Sequence, residues 1–155
     1  MFSKILVPLD GSDESEEALI PAAAIAEKFG AGIVLLEVSP GFGRTVGAAI
    51  AEAFGALGSV QREIIAEQVR EEAATAYLDA VREACGHPEW SSVQADGEPA
   101  EVIVEQARKL GCDLIVMATR ERSRLKRQIL GSVAEEVIRT SGVPVLVVHT
   151  GKGSD

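Results

Sequence analysis

The chain has 155 residues, enough to bury one core of ordinary domain size and too few for two. Its 24 acidic against 15 basic residues leave a net charge of -9, which argues against general binding to nucleic acid or an anionic membrane, since both require a broad positive surface. No apolar run reaches the roughly 18 residues of a membrane span, and Met1-Phe2-Ser3-Lys4 leads into a strand rather than a signal peptide, so a soluble cytoplasmic protein without membrane insertion is expected.

Lys4 to Leu9 is a short β-rich run ending in Pro8-Leu9-Asp10-Gly11-Ser12, after which Ala18, Leu19, Ala22, Ala23, Ala26 and Phe29 recur at helical spacing until Gly30. Ile33 to Val38 reads as a second strand whose apolar character implies burial on both faces, and with it parallel pairing. Residues 39–59 are rich in Gly and Ala, with Val46, Ile50, Phe54 and Leu57 spaced for one face of a short helix, and read as a mobile insertion. A long helix from about Val60 to Ala84 carries Ile64, Ile65, Val69, Ala73, Ala76, Tyr77, Ala80 and Val81 on one stripe, and Gly86-His87-Pro88 ends it.

The stretch from Trp90 to Asp96 is a weaker strand, and its Ser91, Ser92 and Gln94 suit a sheet edge. Pro99 opens a third helix with Val102, Ile103, Ala107 and Leu110 inward, stopped by Gly111 before the apolar strand from Leu114 to Ala118. The last helix begins at Gly131-Ser132, where Ser132 and Glu135 have the spacing of a capping box, and runs to about Thr140. Gly142 and Pro144 break it, and Val145 to His149 forms a final strand before a short polar tail, 151–155.

Strands alternating with helices imply one doubly wound α/β domain over residues 1–150, with a parallel sheet and helices on both faces. Such sheets bind ligands beyond the carboxyl ends of strands where strand order reverses, which directs attention to the loops at Asp10, Val38 and Thr119. The loop after Thr119 stands out in an acidic chain: Arg120, Arg122, Arg124, Lys126 and Arg127 place five positive charges in eight residues. Two readings stand side by side. The cations either form a solvated face or hold a small anion next to the helix that starts at Ser132, whose N-terminus adds partial positive charge. Ser132 itself reads equally as a helix cap, and Asp10 as a turn residue before Gly11-Ser12.

Catalysis has little support. Neither His87 nor His149 lies near a Gly-x-Ser-x-Gly elbow, and no spaced His, Cys or carboxylate group suggests a metal. Cys85 and Cys112 read as free thiols.

Three stretches together resemble the universal stress protein family: Ile5-Leu6-Val7-Pro8-Leu9-Asp10-Gly11-Ser12, the strand Asp113-Leu114-Ile115-Val116-Met117, and Gly131-Ser132-Val133-Ala134-Glu135 ahead of Val143-Pro144-Val145-Leu146-Val147-Val148. The resemblance covers nearly the whole chain. It implies a Rossmann-like five-stranded sheet in the order 3-2-1-4-5 and a homodimer, with Val145, Leu146, Val147 and Val148 at the edge where a second copy would pair.

It also implies an adenine-nucleotide pocket around Pro8, Leu9, Asp10, Val38, Met117, Ala118, Arg120, Arg124, Gly131, Ser132 and Val133. Nucleotide-binding members carry Gly, two residues, Gly, nine residues, then Gly followed by Ser or Thr. Here Ala118 and Glu121 occupy the first two glycine places while Gly131-Ser132 keeps the last pair. The Ala118 Cβ limits backbone approach to a phosphate, and Glu121 adds negative charge. Two unit charges about 4 Å apart at an effective dielectric near 20 repel by about 4 kcal/mol, roughly a thousandfold in affinity, unless Glu121 turns away or pairs with Arg122 or Arg124.

The expected function is therefore that of a regulatory, ligand-sensing stress protein with weakened or altered ATP binding. Two alternatives stay open: a competent ATP-binding protein with slow hydrolysis or switch activity that uses arginine side chains in place of glycine amides, and a protein-interaction module without a small ligand.

Overall fold

Along the inner strands, successive side chains enter different cores, which is why the sequence shows unbroken apolar runs rather than alternation. On one face Ile5, Val7, Leu9, Ile33, Leu35, Leu114 and Val116 pack with Ala18, Leu19, Ala22, Leu78 and Val81. On the other, Leu6, Val34, Leu36, Val38, Ile115 and Met117 pack with Ala100, Ile103, Ala107, Ala134 and Val137.

The computed structural model describes residues 1–38, 52, 53, 55, 58–119 and 130–150. Most of the insertion expected at 39–59, nearly all of the basic loop and the 151–155 tail lie outside the described residues. The elements, in chain order, are β1 (Lys4–Leu9), α1 (Asp13–Glu16), α2 (Leu19–Phe29), β2 (Gly32–Val38), α3 (Ser59–Ala84), β3 (Ser91–Ala95), α4 (Pro99–Lys109), β4 (Leu114–Thr119), α5 (Ser132–Thr140) and β5 (Val145–His149). All strand pairs are parallel, in the order β3-β2-β1-β4-β5. Helices α2 and α3 cover one face, and α4 and α5 the other. The doubly wound reading holds, and the polar β3 lies at an edge as its composition indicates.

Three local readings need correction. The first helix is split: Ser12 caps a four-residue α1 by accepting the Ser15 N–H at 3.2 Å, and α2 starts only at Leu19. Phe29, read as part of the helix's apolar repeat, is 43% exposed and packs edge-on against Phe2 instead.

The stripe on α3 is also rotated and shortened. Its buried residues are Ala74, Leu78 and Val81, whereas Ile64 is 55% exposed and Ala76 and Ala80 face solvent. A helix of 26 residues is about 39 Å long, while strands of five to seven residues span about 20 Å, so the amino-terminal half of α3 outruns the sheet it covers.

Candidate functional site

The two central strands are joined unevenly. Between β1 and β2 the ladder runs the whole length, from Lys4↔Gly32 to Leu9↔Glu37, but β1 and β4 pair only at Ile5↔Leu114 and Leu6↔Ile115. The cause is a single residue. Gly32 N–H donates to Ser3 O on the β2 side and Asp113 N–H to Lys4 O on the β4 side, so residues 4, 6 and 8 of β1 turn their backbone groups toward β4. The next donor in that series is Pro8, which has no N–H. Beyond it the Asp10 N–H is turned to Ser15 Oγ at 3.3 Å. The ladder therefore lapses at the carboxyl ends of β1 and β4, where strand order reverses.

One side of this crevice is the Asp10 loop. Gly11 adopts a φ of 85°, which turns the chain so that the Asp10 carboxylate accepts the Ser12 N–H at 2.9 Å and the Ser12 hydroxyl. Ser15 Oγ in turn donates to Ser12 O at 2.9 Å. Desolvation pushes the Asp10 carboxyl up, but the hydrogen bonds from Ser12 and Ser15 outweigh it and hold the group below its ordinary value, ionised at neutral pH.

The other side is the junction of β4 and α5. Thr119 is buried at the end of β4, and its Oγ1 accepts the Gly131 N–H at 2.8 Å. Its carbonyl accepts both the Thr150 N–H at 3.1 Å and the Thr150 hydroxyl at 3.2 Å. A Cβ added to Gly131 would lie 2.8 Å from Thr119 Oγ1, so this close approach requires a glycine.

The capping box read at Ser132 is absent. Gly131 is the N-cap of α5, Ser132 is the first helical residue, and Glu135 N–H donates to Gly131 O at 3.0 Å. Among the described residues no side chain caps this helix, and Ser132 is exposed.

Of the residues singled out from sequence, Pro8, Leu9, Val38 and Met117 are buried, and the last three spend their side chains on the two cores. Ala118 is half-buried and turned toward the α2–α3 layer. Asp10 and Ser132 are exposed, and Val133 packs partly against the α4–α5 core. Arg120, Glu121, Arg122, Arg124, Lys126 and Arg127 lie outside the described residues.

Sequence reasoning missed Ser12, Ser15 and Thr119 as site-forming side chains. For Thr119 the available signal was a polar residue closing an apolar strand. A separate cleft of about 130 Å³ lies at the ends of β2 and β3, lined by Glu37, Glu67, Arg70, Glu71, Gln94 and Asp96 among others. Its excess of carboxylates makes it unsuited to an anion.

Parallel strands in the order 3-2-1-4-5, wrapped by helices on both faces and unpaired beyond Leu6 and Ile115 at the switch point, define a Rossmann-like α/β protein. The model of the universal stress protein family matches residues 1–149, and the chain belongs to that family. It is 39% identical to Universal stress protein MJ0531 of Methanocaldococcus jannaschii over 98% of this chain and 85% of the relative. Among solved structures, MJ0577 of the same organism, a test case for assigning biochemical function from structure, matches with a TM-score of 0.70 at 29% identity and 99% coverage of both chains. A universal stress protein in complex with cAMP matches with a TM-score of 0.62 at 25% identity over 97% of this chain and 98% of that one. No helix among the described residues is long and apolar enough to cross a membrane.

Proposed function

We propose that this universal stress protein is a cytoplasmic, homodimeric regulatory module that senses an adenine nucleotide through the crevice between β1 and β4, with weak affinity for ATP. The observation that carries the reading is the loss of the β1–β4 ladder at Pro8 beside an N-terminus of α5 that no side chain among the described residues caps. The crevice has two chemically distinct poles. Ionised Asp10 accepts hydrogen bonds and repels phosphate, which suits the ribose hydroxyls or the base amine. The amides at Ser132 and Val133 and the Ser132 hydroxyl suit phosphate oxygens, with Arg120 and Arg124 of the adjoining loop adding charge. The fold neighbour solved with cAMP supports an adenine nucleotide as the ligand class.

Weak affinity follows from Ala118 and Glu121, which stand where the binding members of the family carry glycines. Titration calorimetry with ATP and cAMP tests the reading. ATP binds the wild type at high micromolar affinity or weaker, and Ala118→Gly with Glu121→Gly tightens it by about tenfold or more, because a steric limit and a repulsive charge are removed. Tight wild-type binding would mean that the arginines have replaced the glycine amides. No binding by either protein would favour the interaction module.

The dimer is assigned to β5, an edge strand whose Leu146 is 37% exposed. Leu146→Lys is the cleaner probe than a change at Val147, which packs against the core. Light scattering should show a dimer for wild type and a monomer for Leu146→Lys.

A further inference from the structure

We infer that Tyr77, on the long helix α3, is a positioning residue for the crevice: its hydroxyl holds α1 in place and, through Ser15 and Ser12, aims the Asp10 carboxylate at the ligand. The ligand part of this inference rests on the nucleotide reading above; the positioning part does not.

A four-residue helix cannot sustain itself, because one turn fixes several backbone angles for little hydrogen bonding in return. Some tertiary tie must fix α1. Tyr77 OH donates to Glu16 Oε1 at 2.9 Å, across 61 positions of sequence. The tie is firm at both ends. The Tyr77 ring packs against the core beside Leu78 and Val81, and the acceptor is a carboxylate, which makes the bond charge-assisted. Burial, the bond to Glu16 and the Glu16 charge all raise the phenol's pKa, so it remains a donor throughout the working pH range.

From Glu16 the connection continues along the backbone to Ser15. The Ser15 Oγ accepts the Asp10 N–H and donates to Ser12 O, the Ser15 N–H donates to Ser12 Oγ, and that hydroxyl donates to Asp10 Oδ1. Every donor that fixes the Asp10 carboxylate is thus part of, or braced by, the segment that Tyr77 pins. If the pin is removed, that segment is held on one side by Gly11, a residue with wide backbone freedom, and on the other only by the turn in which the Ala18 N–H donates to Ser15 O at 3.3 Å.

The decisive experiment follows the Asp10 carboxyl by carbon-detected NMR titration in ligand-free protein, a readout that a merely adhesive role of Tyr77 would not move. Tyr77→Phe keeps the packed ring and deletes the donor. The Asp10 titration should then shift up toward the ordinary 3.8, as hydrogen bonds to its ionised form loosen. Glu16→Ala should reproduce the shift, and it keeps the test available if Tyr77→Phe folds poorly. Glu16→Gln retains an acceptor oxygen and should return the titration toward wild type, while the Tyr77→Phe, Glu16→Ala double variant should shift it no further than either single change.

ATP affinity in Tyr77→Phe should fall about threefold to tenfold, the effect of one misaligned hydrogen-bond acceptor. A wild-type Asp10 titration in both Tyr77→Phe and Glu16→Ala overturns the inference. A shifted titration in a protein that binds neither ATP nor cAMP leaves the positioning role standing and removes the nucleotide reading instead.

Discussion

The two ends of the central strand pair use an aspartate in opposite ways. At the amino end the Asp113 carboxylate, just before β4, accepts the Ser3 N–H at 2.9 and 3.1 Å, the Ser3 hydroxyl at 2.8 Å and the Lys4 N–H at 3.0 Å. Its own N–H donates to Lys4 O, and Lys4 Nζ reaches Leu110 O at 3.0 Å, so β1 and β4 are stitched together there. At the carboxyl end Asp10 accepts from its own loop, Pro8 supplies no donor, and the ladder lapses. Both carboxylates are held below their ordinary value by hydrogen bonds. The difference is where the donors come from. Bonds that cross between strands add stability, whereas bonds within a loop shape a charged acceptor and leave the strands free to part. The central strand pair is fastened at one end and unpaired at the other.

The largest expected effect comes from forcing the open end. Gly131→Ala sets a Cβ 2.8 Å from buried Thr119 Oγ1, which displaces the start of α5 and costs about 1–3 kcal/mol in urea unfolding. Thr119→Ala in the same chain should recover part of the loss by making room. If Gly131→Ala is as stable as wild type, the close approach does not constrain α5.

Unfastening the other end costs less. Asp113→Ala should destabilise by about 1 kcal/mol, a value reduced because the clip is largely exposed, and should leave ATP binding unchanged. The pH dependence has a definite sign. The Lys4 and Ser3 amides and the Ser3 hydroxyl lower the folded Asp113 pKa below 3.8, so its contribution is fully present above the unfolded value and lost as pH falls through the folded one. The gap between wild type and Asp113→Ala should therefore begin to narrow as pH falls below about 4 and close only below the folded value. A gap that widens on acidification would show that Asp113 does not act through its charge.

The smallest effect sharpens the comparison most. Pro8→Ala restores a donor facing β4, against the loss of proline's restraint on the unfolded chain, so the net stability change should stay within about 1 kcal/mol. Hydrogen exchange gives the sensitive readout. The new amide at position 8 should be protected like that of Leu6, which faces the same neighbour. If it exchanges freely, the strands part for a reason other than the proline.

Much of the fold was legible in the sequence because the signals that specify it are local or periodic. Continuous apolar runs gave the buried strands, Ser91, Ser92 and Gln94 marked an edge, and glycines and prolines gave helix ends close to those observed. The errors share a cause. The α3 stripe was read as if the whole helix had something to pack on, and the Ser132–Glu135 spacing was read as a cap although capping depends on which residue leaves the helical conformation first.

The sequence by itself determined the α/β class, the family resemblance and the identity of the loops around the crevice, because periodicity and composition are properties of neighbouring residues. Only the tertiary structure decided which groups meet there. Thr119 reaches Gly131 and Tyr77 reaches Glu16 across gaps of 12 and 61 positions, and Pro8 loosens one ladder and spares the other because alternate backbone groups face alternate strands. A hydrogen bond depends on distance and direction between groups, and for residues far apart in sequence both are set only when the sheet and its helices have packed.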